Sequence, residues 1–89
     1  MYSLYNAFQN IETEKEFKAF LKDICTPAEA KALNERWQIA QLLFAGKLSQ
    51  REIASKLSTS ITTVTRVARF LNHEPYKGYS TVLSRIHHA

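Results

Sequence analysis

The chain has 89 residues, of which 45% are hydrophobic, and 12 Lys and Arg against 8 Asp and Glu leave it at +4. This length allows one domain with a thin core, so the apolar side chains must be well placed or shared with a second subunit. The single cysteine, Cys25, excludes an internal disulfide and fits a reducing, cytoplasmic setting, while two glycines in all exclude a glycine-rich phosphate loop.

The longest apolar run is Leu42–Ala45, far short of the roughly 20 residues of a membrane span. The opening residues, Met1 to Tyr5, carry no sign of a signal peptide. The apolar spacing of Met1, Leu4, Tyr5, Phe8 and Ile11 predicts a short first helix. Thr13-Glu14-Lys15-Glu16 is a capping box, in which a hydroxyl takes one orphan amide and a carboxylate reaches back to another. It opens a helix over 14–24 with a stripe of Phe17, Phe20, Leu21 and Ile24. Thr26-Pro27-Ala28-Glu29 repeats the box, with Pro27 where a helix needs no amide hydrogen. The helix it starts, 27–45, has two apolar stripes: Ala30, Leu33, Trp37, Ala40 and Phe44, and Ala32, Ile39 and Leu43. Such a helix is buried between neighbours or between subunits. Gly46 ends it in the left-handed conformation. Ser49-Gln50-Arg51-Glu52 is a third box, opening a helix over 50–57, and Ser60 is a plain N-cap for 61–72. A loop holding Pro75, Tyr76, Gly78 and Tyr79 precedes a last helix at about 80–87 with Val82, Leu83 and Ile86. No strand alternation is visible, so the fold class is all-α with six short helices.

Residues 50–69 read as a helix-turn-helix. Ile53, Ala54 and Leu57 face inward from the first helix, Ser58-Thr59-Ser60 makes the turn, and Val64, Val67 and Ala68 pack the second helix against the first. Ser58 stands where such turns usually have glycine, and a left-handed serine costs on the order of 1 kcal/mol. Thr62, Thr63, Thr65, Arg66 and Arg69 are left for solvent or a partner. Threonine hydroxyls bond bases or phosphates, arginines hold phosphates, and a helix N-terminus favours an anion. Four threonines at 59, 62, 63 and 65 lower helix propensity and so ask for an external reason. The charge agrees: residues 1–35 carry four basic and six acidic groups, whereas residues 36–89 carry eight basic and two acidic ones. The second part is suited to a polyanion.

Thr26-Pro-Ala-Glu-Ala-Lys-Ala-Leu33, Arg36, Leu42–Gly46, Leu48-Ser-Gln-Arg-Glu-Ile53 and Ile61-Thr-Thr-Val-Thr-Arg66 together resemble the tryptophan repressor family over about residues 24–72. The stretch Arg66–Asn72 with Gly78 and Tyr79 is more like the bacterial tryptophan-repressor-related proteins. The resemblance implies an intertwined homodimer that binds near-palindromic double-stranded DNA as a transcription regulator, a repressor by kind. The whole chain, 1–89, is then one domain: dimerisation helices over 1–45, the helix-turn-helix over 49–72 and a C-terminal helix over 80–87. Carried over residue by residue, it places Gln50, Arg51, Ile61, Thr62, Thr63 and Thr65 at DNA, beside Arg66 and Arg69 from the bottom-up reading. The family has a lysine where Ala54 stands, so that contact is absent. The resemblance also implies an L-tryptophan pocket in which Arg36 and Arg66 sandwich the indole and Thr26 comes from the other subunit. The family's glycine and serine in that pocket are Val67 and Phe70 here. A buried zwitterion needs polar partners that Phe70 lacks, so the expectation is no cofactor, or an effector other than tryptophan.

An alternative from another class is a helical interaction module whose helix-turn-helix meets protein. The basic excess over 36–89 speaks for DNA. No nucleophile stands beside a base in a recognised motif, so no enzyme activity is expected. His73, His87 and His88 form no metal pattern, and Trp37 on an apolar stripe reads as core.

Overall fold

The computed structural model describes residues 1–88, which form six α-helices: α1 Leu4–Gln9, α2 Glu14–Ile24, α3 Pro27–Ala45, α4 Gln50–Leu57, α5 Ile61–Asn72 and α6 Gly78–His88. Among the described residues there is no strand. The first five boundaries follow from the caps. The Thr26 hydroxyl accepts from the Glu29 amide at 3.1 Å, and the Glu29 carboxylate accepts from the Thr26 amide at 2.8 Å. Ser49 and Glu52 repeat the exchange at 3.1 and 2.9 Å. Ser60 accepts from the Thr63 amide at 3.1 Å. The box at Thr13 differs from expectation. Thr13 caps the Glu16 amide, but the Glu16 carboxylate reaches one residue further and accepts from Glu12 at 2.9 Å.

These bonds hold the Glu29 and Glu52 carboxyls below the usual carboxylate range, through the backbone amides of Thr26 and Ser49 first and their hydroxyls second. Because the folded value lies below the unfolded one, the stabilisation is complete above about pH 4.3 and is lost as pH falls through the folded value. Glu52→Gln keeps an acceptor without the charge. Urea midpoints measured from about pH 7 down to about pH 3 are therefore expected to fall less steeply for Glu52→Gln than for the wild type.

The helices divide into two compact units, residues 1–32 and the part beginning at Leu33, with the boundary inside α3. In the first unit, α1 and α2 contain no buried residue. Phe8 stacks on Phe17 at 5.6 Å between ring centroids and meets Phe20 edge-on at 5.8 Å. Leu4, Tyr5 and Ile24 stay exposed.

The second unit has its own core. Ile39 and Ala40 of α3, Ile53 of α4, Val64 and Val67 of α5 and Leu83 of α6 are all 2% exposed or less and form one cluster. Each of the larger aliphatic side chains contributes about 1.5–3 kcal/mol by leaving water. Trp37, Ala54, Leu57 and Tyr79 pack around it half-buried. Of the stripes read on α3, only Ile39 and Ala40 are buried, and Leu33 and Phe44 remain exposed.

The last helix starts earlier than expected. The positive φ falls on Lys77 (58°) rather than on Gly78, and the Lys77 carbonyl accepts from the Thr81 amide at 3.0 Å and the Ser80 hydroxyl at 3.2 Å. Gly78 is thus the first residue of α6, and Tyr79 is a helical residue packed on the core, not part of the loop.

Candidate nucleic-acid interface

The helix-turn-helix is formed by α4 and α5 in the second unit. Burial follows helical geometry: Ile53 on α4 and Val64, Val67 and Ala68 on α5 are buried. That fixes the opposite face of α5 outward. Ile61, Thr62, Thr65, Arg66 and Arg69 are exposed, and Thr63 is half-buried. The exposed row begins at the helix N-terminus, where amides and dipole favour an anion.

Gln50 and Arg51 open α4 beside this face. The Gln50 side-chain oxygen accepts from the Thr65 hydroxyl at 3.1 Å, so these two sites are tied together across the helices. Arg51 is exposed and forms no ion pair among the described residues. Its guanidinium is available to a phosphate. The Thr63 hydroxyl lies 2.8 Å from that of Ser60, so part of its work is within the N-cap.

The turn carries the expected strain. Ser58 has φ 53° and ψ 44°, the left-handed region. Its amide donates to the Ser55 carbonyl and the Thr59 amide to that of Ala54. Ser58→Gly removes about 1 kcal/mol of strain and returns about half of that as unfolded-chain entropy. A net gain of about 0.5 kcal/mol in thermal or urea unfolding is the expected result.

Arg66 and Arg69 are less free. The Arg66 guanidinium lies 4.7 Å over the Phe70 ring, and that of Arg69 lies 5.6 Å from the same ring. Arg69 also donates from Nε and Nη2 to one Glu74 oxygen at 3.0 and 2.6 Å. Glu74, in the segment between α5 and α6, joins the site although the sequence does not point to it, because a pairing across a helix end has no periodic signal. Phe70 stacks in turn on Tyr76 at 6.3 Å.

The residues expected to hold a ligand are placed as follows. Thr26 belongs to the first unit and caps α3. Arg36 and Arg66 belong to the second unit, and both are exposed. A cavity of about 510 Å³ in the second unit is lined by Trp37, Phe70, Tyr76, Gly78, Tyr79 and Val82, and by neither arginine. Val67 turns its side chain into the core, at 2% exposure. Phe70 is both the platform under Arg66 and a wall of the cavity.

No helix of the described residues is long and apolar enough to cross a membrane. The family model described as Trp repressor protein matches residues 1–87. The uncharacterized protein YerC of Bacillus subtilis (strain 168) is 29% identical over 83 residues, which cover 93% of this chain and 78% of that protein. A Trp operon repressor homolog of Vibrio vulnificus (strain YJ016) is 40% identical over 53 residues, 60% of this chain and only 52% of its own length. The crystal structure of a TrpR-like protein from Eubacterium eligens ATCC 27750 superposes with a TM-score of 0.86 at 31% identity, covering 94% of this chain and 84% of that one.

Proposed function

The chain belongs to the Trp repressor protein family, a family of DNA-binding regulators, and on that premise we propose that it is a homodimeric transcription regulator that reads a near-palindromic operator. The observation that carries this is the outward face of α5, which begins with Ile61 and Thr62 at the helix N-terminus and continues through Thr65, beside an exposed Arg51 on α4 that has no ion pair among the described residues. Two such helices enter successive major grooves about one helical turn apart. Arg51, Thr65 and the helix-end amides meet phosphates, and Thr62 and Thr63 supply part of the base reading.

The exposed apolar side chains of the first unit support a dimer. Leu4, Tyr5, Phe8, Phe17 and Ile24 lie on helices with no buried residue of their own. A second copy covering them gains about 25 cal/mol for each Å² of apolar surface removed from water.

L-tryptophan does not fit the residues at the matched positions. Arg66 rests on Phe70, and Phe70 offers no acceptor to an ammonium group. The regulator accordingly binds its operator without tryptophan.

Purified protein is used to select bound duplexes from a random DNA library at moderate salt, with and without L-tryptophan, and its mass in solution is measured by sedimentation. The expected result is a two-fold symmetric motif in both arms and a dimer. A motif recovered only with tryptophan overturns the ligand-free reading. A dimer that enriches no sequence in either arm gives the helix-turn-helix a protein partner instead.

A further inference from the structure

The core holds α5 from its fourth residue onward, through Val64, Val67 and Ala68. The first turn of the helix, with Ile61 and Thr62 exposed, lies outside that grip. The capping bond of Ser60 to the Thr63 amide is internal to the helix end and cannot set its direction. The bond between Gln50 and Thr65 joins α4 to α5 and does not reach α3, which meets the motif through the buried cluster of Ile39, Ala40, Ile53, Val64 and Val67, away from the turn. One side-chain hydrogen bond among the described residues joins the motif to α3: the Thr59 hydroxyl donates to a Glu35 carboxylate oxygen at 2.5 Å. Both residues are half-buried.

We infer that Glu35 is a positioning residue for DNA reading, a latch from α3 that holds the turn of the helix-turn-helix and so sets the pose of the first turn of α5. This rests on the DNA-binding function proposed above. Three features support it. Thr59 stands two residues before Ile61, so a small movement there is carried directly to the tip of the helix. The preceding residue, Ser58, is held in the left-handed region at a steric cost, and a hydroxyl–carboxylate bond, among the stronger hydrogen bonds available, opposes relaxation of the turn. Glu35 is also an acid in the unit that carries the basic excess. Near a polyanion a carboxylate costs affinity, so its place there is better explained by what it holds than by what it contacts.

The test uses the full chain with Thr59→Val, which keeps the shape and loses the donor; Thr59→Ser, which keeps the donor; and Glu35→Ala combined with Thr59→Val. Amide hydrogen exchange is followed without DNA, and affinity is measured for the selected operator and for random duplex. Thr59→Val is expected to speed exchange about tenfold at the hydrogen-bonded amides of Ser58, Thr59 and Thr63 while leaving α6 unchanged, and to weaken operator binding about tenfold with random-duplex affinity unaltered. Thr59→Ser restores both. The double variant is no worse than Thr59→Val alone, since one bond is lost in each. Unchanged exchange in Thr59→Val overturns the latch whatever the DNA result. Equal weakening on operator and random duplex overturns it too, because Thr59 is then a phosphate contact. If the wild type binds no DNA, faster exchange confined to those amides still supports the latch, and the DNA-binding function fails separately.

Discussion

On the proposed DNA-binding function, replacing Arg51 with alanine is expected to weaken binding to operator and random duplex alike, by about tenfold, and to lower the slope of log affinity against log salt by about 0.9 per subunit. The expectation follows from what Arg51 lacks. Arg69 is spent on Glu74, with two hydrogen bonds to one oxygen, and Arg66 rests on Phe70. Gln50 is neutral and engaged with Thr65. Among the expected contacts that leaves Arg51 as the exposed cation with neither an ion pair nor an aromatic platform among the described residues. A phosphate contact carries no sequence information, so specific and random DNA suffer together. The matched control is Thr62→Ala. Thr62 is exposed at the tip of α5, whereas Thr63 is half-buried with its hydroxyl against that of Ser60. Thr63→Ala mixes loss of a base contact with a weakened N-cap, so Thr62 is the cleaner probe of specificity. Filter or fluorescence titrations at several salt concentrations separate the two. If Arg51→Ala leaves the salt slope unchanged, Arg51 does not meet a phosphate.

Much of this molecule was legible because its punctuation is local. Thr13, Thr26, Ser49 and Ser60 each start a helix through a bond to a residue three positions on. A pattern of that span is read from the chain without knowing the fold. Part of the core of the second unit was legible for the same reason, since Ile53 with Leu57 and Val64 with Val67 and Ala68 sit at helical spacing. What escaped is what joins residues across elements. Glu35 and Thr59 are 24 positions apart, and their bond depends on how α3 lies against the turn. Arg69 finds Glu74 only because the chain leaves the helix after Asn72. The start of α6 at Gly78 rather than near residue 80 is not readable from the sequence, because the positive φ sits on Lys77, a residue with no local signal for it.

Val67→Gly is expected to destabilise the chain by about 3 kcal/mol. About 1 kcal/mol comes from glycine inside a helix, and about 2 kcal/mol from deleting a side chain that is 2% exposed among Ile39, Ile53, Val64 and Leu83. Against the 5–15 kcal/mol typical of a small domain this is a large share, and a urea titration reads it directly. The consequence bears on ligand control. From sequence, Val67 and Phe70 both stand where the resemblance implies a tryptophan pocket, and reversing both is the obvious probe. The structure separates them. Val67 is core and obstructs nothing outside it, whereas Phe70 is the ring on which Arg66 lies and which stacks on Tyr76. Phe70→Ser is half as costly, about 1–2 kcal/mol, because the side chain is already half-exposed. It frees the Arg66 guanidinium and supplies a hydroxyl acceptor. Isothermal titration with L-tryptophan is therefore expected to give no heat of binding with the wild type or Val67→Gly, and measurable binding with Phe70→Ser. If Phe70→Ser stays folded and gains nothing, the ring of Phe70 is not what keeps tryptophan out. Binding by the wild type would show that Arg66 leaves Phe70 at little cost and that the stack is no barrier.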